Sequence, residues 1–132
     1  MLKHLKKYLI PSTHRKMKVQ GDREASFRLM LDNLEIGTLD YNAGKWLYQY
    51  SDEFKSSAKI RPLAGFPELN KIYISEELWP FFTSRIPSLS RERVRKVIDE
   101  EGIKENDLLA LLDRFGRRTI TNPFELLSVD KL

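Results

Sequence analysis

"SFRLMLDNLEIGTLDYNAGKWLYQY", Ser26 to Tyr50, holds three runs of alternating side chains separated by two turn signals. Phe27, Leu29 and Leu31 fall on one face of the first run, Leu34, Ile36 and Thr38 on one face of the second, and Trp46, Tyr48 and Tyr50 on one face of the third. Period two over runs of this length specifies half-buried strands, because successive side chains of a strand point to opposite faces. Asp32-Asn33 and Asn42-Ala43-Gly44 tolerate the positive φ that tight hairpins demand, so the runs form an antiparallel meander. Gly37 inside the second run marks a bulge or a close backbone approach.

Outward from the meander the pattern changes. Beyond the polar stretch Ser51–Lys59, two short extended pieces are expected at "KIRPL" and "KIYI", with Pro62 and Pro67 keeping the connection irregular. The sheet therefore has up to five strands and a barrel-like character. The second half takes up helical period. Ser88 or Ser90 is placed to cap a helix with a Val94, Val97 and Ile98 stripe that ends at Gly102. Asn106 is placed to cap another, with Leu108, Leu111, Leu112 and Phe115 at i, i+3, i+4 and i+7 before Gly116. The first of these helices has its charges reversed against the helix dipole, with Arg91 and Arg93 early and Asp99, Glu100 and Glu101 late. The expected fold is α+β: a small antiparallel sheet followed by two or three helices. The expected organisation is a basic arm (1–25), one domain (26–127) and a tail (128–132).

Composition excludes several classes of function. The chain has 132 residues, 41% hydrophobic and 32% charged, within the range of a folded domain. It has no cysteine, hence no disulfide frame, thiolate nucleophile or cysteine metal site, and a cytoplasmic setting is expected. The longest apolar runs, such as Leu108–Leu112, fall far short of the ~20 residues of a membrane helix. The net charge of +4 is unevenly placed: Lys3, Lys6, Lys7, Arg15, Lys16 and Lys18 make the first twenty residues +6, leaving −2 for the rest. These six are the residues expected to meet a polyanion. The spacing of Leu2, Leu5 and Leu9 gives the same arm a short amphipathic turn.

Catalytic apparatus is not legible. His4 and His14 lie in the arm without a companion carboxylate or HExxH spacing, and no phosphate-cradling glycine loop occurs. "DRFG" at Asp113–Gly116 is explained by packing of Phe115 and a helix C-cap at Gly116. Glu76-Glu77 and Glu100-Glu101 are adjacent pairs, which a helix points apart. The expectation is a protein without catalytic residues, metal or cofactor. Trp46, Tyr48 and Tyr50 alternate as base-stacking aromatics do, but Lys45 is followed by Asp52 and Glu53, so no basic groove accompanies them.

Taken in order, "LDNLEIGTL", "KWLYQYSDEF", "WPFFTSRIPS", "NDLLALLDRFG" and "RRTITNPFELL" resemble the N-terminal domain of HipA-type serine/threonine kinases. In that family a strand with a "vG.L" turn, a strand reading "f.Y...w", a "pFF..llP" segment and a helix ending "LL...G" recur in this order. The family's "LLPEG" is replaced by "RIPSL" at Arg85–Leu89, and its closing glycine-containing segment by Thr119–Leu127. The nucleotide loop and catalytic Asp and Asn of the kinase body do not occur in the sequence.

The resemblance implies a non-catalytic module that binds and restrains a HipA-like kinase toxin in trans, similar to the small antitoxin HipS of bacterial HipBST systems, with a HipB-like DNA-binding protein as a further partner. An alternative is a DNA-associated accessory subunit of a helix-turn-helix repressor, using the basic arm. The partner-binding residues are expected in "SEELWPFFTSRIPS": Trp79, Pro80, Ser84, Arg85, Ile86 and Pro87. Leu78, Trp79, Phe81 and Phe82 cannot all face one core, because successive side chains diverge in any regular backbone. The family pattern assigns Phe81 and Phe82 to the core, which leaves Trp79, of a residue type enriched at interface hot spots, as the exposed anchor.

Overall fold

The three alternating runs form β1 (Ala25–Leu31), β2 (Leu34–Asn42) and β3 (Lys45–Tyr50), paired antiparallel in a structure, a computed structural model, that describes residues 23–57 and 60–129. Both hairpins turn where expected: Asp32 takes φ 53°, and Ala43 and Gly44 take 53° and 81° in a two-residue loop whose handedness matches strand twist. The short β4 (Tyr73–Ser75) pairs with β3, and β5 (Glu125–Ser128) pairs with β1, giving the order β4-β3-β2-β1-β5. The sheet is five-stranded and open, with edges at β4 and β5, rather than barrel-like.

Cross-strand rows define the buried face. Leu126, Leu29, Gly37 and Tyr50 form one row, Phe27, Leu39, Tyr48 and Tyr73 the next, and Ala25, Tyr41, Trp46 and Ser75 the third. Gly37 is both things its position suggested. Leu29 pairs with Gly37 but Met30 with Glu35, so Ile36 is an extra residue and β2 is bulged there. A Cβ at Gly37 would stand 2.6 Å from the Tyr48 hydroxyl and press on the Gln49 carbonyl. The bulge corrects the expected face of β2: past it, Leu39 and Tyr41 turn inward and Thr38 is only half-buried. "KIYI" becomes β4, whereas residues 60–63 of "KIRPL" are irregular and β5 takes the fifth place.

Among the described residues four helices cover the inner face: α1 (Asp52–Ser56), α2 (Pro80–Thr83), α3 (Glu92–Glu101) and α4 (Leu108–Phe115). The first two, one turn each, are additional to the two longer helices legible in the sequence. Ser51 caps α1 through its side chain at 2.9 Å, and Phe54 enters the core. The cap of α3 is Arg91, without a side-chain cap bond, while Ser88 and Ser90 bond each other at 2.8 Å; its stripe buries Val94 and Ile98 before Gly102 ends the helix at φ 69°. Asp107, not Asn106, caps α4 by accepting from the Ala110 N–H at 3.1 Å. The same carboxylate pairs with Arg23 at 2.7 Å, so ordered structure reaches back into the stretch read as arm, and at the other end Ser128, read as tail, completes β5.

The core is one aromatic-rich cluster. Trp46, Tyr48, Phe54, Phe66 and Phe82 are its largest fully buried side chains. Tyr50 fixes the irregular segment over the sheet: its hydroxyl accepts from the Leu63 N–H at 2.8 Å and donates to the Phe66 carbonyl at 2.6 Å. Tyr48 lies one row away with no hydrogen-bond partner for its hydroxyl among the described residues, and burial pushes its pKa strongly up. Among the described residues no helix is long and apolar enough to cross a membrane.

Candidate functional site

The segment 75–88 folds around α2. Pro80 occupies the first helical turn, where a missing N–H costs nothing, and holds Trp79 extended at φ −69°, ψ 151° as the helix cap. The Trp79 carbonyl then accepts from the N–H groups of Phe82 and Thr83 at 2.9 and 3.0 Å. This geometry separates the four large apolar side chains. Leu78 and Phe82 are buried; Trp79 and Phe81 are half-buried. The Trp79 ring stands edge-on to Phe66 with centroids 5.2 Å apart, and Phe81 lies between Phe82 at 5.1 Å and Phe124 at 6.0 Å. Trp79 is thus a rim residue of the aromatic cluster, not a fully exposed knob. Pro80 is exposed beside it.

At the other end of α2 the chain enters a groove of about 600 Å³. Ser84, Arg85 and Pro87 form one wall, Arg91 and Phe115 come from the ends of α3 and α4, and residues 118–121 form the opposite wall. Three of the six expected partner-binding residues therefore meet here, Trp79 and Pro80 lie one helical turn away, and Ile86 faces the core at 9% exposure.

Arg85 has a different task from the one its sequence position suggests. It is 3% exposed, and its guanidinium is committed to acceptors of this chain. Nε donates to the Gly116 carbonyl at 2.5 Å; Nη2 donates to the carbonyls of Arg117 at 3.0 Å and Phe124 at 2.6 Å; Nη1 donates to Asn122 Oδ1 at 3.3 Å. Desolvation lowers its pKa and the field of Glu125 opposes that shift. The fork thus fastens α2 to the segment between α4 and β5 from beneath. Asn122 adds a local clasp, its Oδ1 accepting the Phe124 N–H at 3.1 Å, and Arg117 O also accepts the Leu126 N–H at 2.9 Å.

The fastened segment carries Ile120, whose side chain is fully exposed at 104%. Arg118 reaches Glu125 at 2.7 Å with most of its side chain in solvent, whereas Arg91 and Arg117 have no carboxylate in ion-pair range among the described residues. Ile120, Arg91 and Arg118 were not legible as site residues. The sole hint for Arg91 was its unfavourable sign at the start of α3, and a lone Ile between two threonines has no periodic partner to announce it.

Among the described residues the groove is lined by guanidiniums, hydroxyls and apolar carbons, with no carboxylate or imidazole beside Ser84, Thr119 or Thr121. Among the described residues no group of three or more His, Cys, Asp or Glu is placed to hold a metal ion. The six cations Lys3, Lys6, Lys7, Arg15, Lys16 and Lys18 lie outside the described residues. A second hollow of about 370 Å³, bordered by Arg23, Ile103 and Asp107, is bridged by the Arg23–Asp107 pair that holds the start of β1 to α4.

Compared with known families, the model of the HipA N-terminal domain matches residues 27–121. That span runs from β1 through the meander, the 75–88 segment and α4 to the loop bearing Ile120. No curated protein matches the chain at a significant level.

Proposed function

The chain belongs to the HipA N-terminal domain family, and from that premise we propose that it docks on a HipA-like serine/threonine kinase and restrains it, as the antitoxin or regulatory subunit of a toxin–antitoxin pair. The family match over most of the chain carries the reading. It is supported by a surface suited to binding rather than chemistry. A half-buried tryptophan at one end of α2 and a groove at the other lie within one helical turn, roughly 6 Å along the axis. A tryptophan packed against the core with part of its ring still accessible is already ordered before contact, so little side-chain entropy is lost on binding. Inhibition requires no catalytic group of its own; occupying the kinase's cleft or holding one of its conformations suffices.

The test is a paired measurement on Trp79→Ala and Phe82→Ala. Each variant is melted in urea and titrated by calorimetry against a HipA-like kinase body lacking its own N-terminal domain. Phe82 is fully buried, and its truncation is expected to cost about 3–5 kcal/mol of stability. Trp79→Ala, which loses the Phe66 ring contact and only part of a buried side chain, is expected to cost less than Phe82→Ala while weakening kinase binding by about 2 kcal/mol or more. Full-strength binding by a folded Trp79→Ala protein removes that end of α2 from the interface. A wild-type protein that neither binds the kinase body nor lowers its phosphorylation activity overturns the function.

A further inference from the structure

We propose that the groove between α2 and the Arg117–Thr121 loop is the specificity-setting part of the kinase contact, and that its occupant is an acidic segment of the partner bearing an apolar side chain. This rests on the kinase-binding reading and adds the chemistry of the contact. Three observations carry it. Ile120 stands wholly in solvent at the lip of a groove that also presents Phe115 and Pro87, an arrangement that offers apolar area to an incoming chain.

The exposed cations around it are only partly paired. Arg91 and Arg117 have no carboxylate in ion-pair range among the described residues, and Arg118 shares only the partly exposed Glu125. Arg91 also sits at the cap of α3, where a positive charge opposes the helix dipole and no side-chain cap bond offsets it. A carboxylate-bearing partner removes that penalty and meets complementary potential at the same time.

The loop is held in place for this. Arg85 fastens the chain on both sides of Ile120, at Gly116 and Arg117 before it and at Asn122 and Phe124 after it. An exposed apolar side chain on a loop tied at both ends is presented rather than left loose, and a presented anchor binds at low ordering cost. The apolar lining favours a protein segment over nucleic acid, whose backbone has no use for Phe115, Pro87 and Ile120.

The experiment titrates the full chain and two variants against the HipA-like kinase body at low and high salt, with a DNA duplex as the competing probe. The variants are Ile120→Asp and the double change Arg91→Glu with Arg118→Glu. All substituted side chains are exposed, and urea melts check that the variants fold. Ile120→Asp is expected to weaken kinase binding at least tenfold. The double change is expected to weaken it at least tenfold at low salt, and to flatten the salt dependence of what remains. If the wild type binds the kinase and both variants bind as well as it does, the groove assignment falls and the kinase-binding function stands. If the wild type does not bind the kinase, both fall together. If the double change abolishes binding to the duplex while Ile120→Asp leaves kinase affinity untouched, the groove is a polyanion site and the acidic protein segment is wrong.

Discussion

Replacing Arg85 by Met keeps most of the aliphatic stem and deletes the guanidinium, which makes it the sharpest probe of how this fold holds its C-terminal third. The fork serves three backbone carbonyls and one side-chain amide. Arg117 O keeps a partner in the Leu126 N–H, and the Asn122 contact is long at 3.3 Å, so neither loss weighs heavily. The carbonyls of Gly116 and Phe124, at 2.5 and 2.6 Å, lose a charge-assisted bond each. Leaving a buried acceptor unsatisfied costs about 1–3 kcal/mol, in full for the Gly116 carbonyl and in part for the part-buried Phe124 carbonyl, which puts the pair at up to about 6 kcal/mol. Relief of the guanidinium's own desolvation, which lowers its pKa, returns part of this. The expected net loss is about 3 kcal/mol. Arg85→Lys should lose more than half as much, because an ammonium cannot span acceptors arranged around a planar fork. Urea melts followed by far-UV circular dichroism, with the slope unchanged and the midpoint lowered, measure it. An Arg85→Met protein within 1 kcal/mol of wild type would mean that the carbonyls are satisfied without the fork and that the loop bearing Ile120 is not fastened from beneath.

Three other perturbations have signed outcomes. Tyr48→Phe removes a buried hydroxyl that has no partner among the described residues and is expected to raise stability by about 1 kcal/mol by thermal melt; a loss of similar size would point to a concealed partner. Burial pushes the pKa of Tyr48 and of Tyr50 above the ordinary value near 10, so above about pH 10 the unfolded chain releases protons that the folded one keeps, and stability falls as pH rises; the decline should be shallower in Tyr48→Phe by about 1.4 kcal/mol per pH unit. Gly37→Ala drives a methyl group into the Tyr48 hydroxyl and the Gln49 carbonyl and is expected to cost about 2–4 kcal/mol, whereas Gly102→Ala, with open space but φ 69°, should cost about 1 kcal/mol; equal losses in denaturant melts would contradict the close approach at the bulge. Deleting residues 1–20 keeps the Arg23–Asp107 pair and all of β1 and takes the net charge from +4 to −2, so cooperative unfolding should persist while salt-sensitive retention on DNA or heparin is lost; retention that survives the deletion would place polyanion contact on the body.

How much of this was legible follows from the range of the interactions involved. The meander was, because each strand states its own period and each hairpin its own turn chemistry within a few residues. Trp46, Tyr48 and Tyr50 share the buried face as their spacing requires. The bulge at Gly37 was legible as an irregularity, but its consequence was not. One extra residue exchanges the faces of everything beyond it, and only the pairing of Met30 with Glu35 reveals where the slip falls. The helix stripes at Val94–Ile98 and Leu108–Leu112 were legible for the same local reason as the strands. Their caps moved to Arg91 and Asp107 because a cap depends on the path by which the chain enters the helix. β5 offers just four residues after Pro123, too few to carry a period.

Arg85 is the clearest case of a signal absent from local sequence. Beside Thr83 and Ser84 at the end of a short aromatic turn, an arginine reads as a solvated or partner-facing cation. Its burial is dictated by acceptors 31 to 39 residues further along the chain. Those acceptors are where they are because α4 ends at Gly116 and β5 must return to pair with β1, leaving the Gly116 and Phe124 carbonyls between the two to be met by a side chain. A planar five-donor fork is the side chain best matched to several carbonyls converging from different directions. The same fork makes the two ends of α2 one mechanical unit with the Ile120 loop, so Arg85 should influence partner binding without touching the partner. In a double-mutant cycle at a urea-free temperature where Arg85→Met remains folded, its effect on kinase affinity should be strongly non-additive with that of Ile120→Asp, since each disables the same presented side chain. Additive losses would separate them, assigning Arg85 to stability alone and leaving Ile120 to act from a loop that needs no fastening.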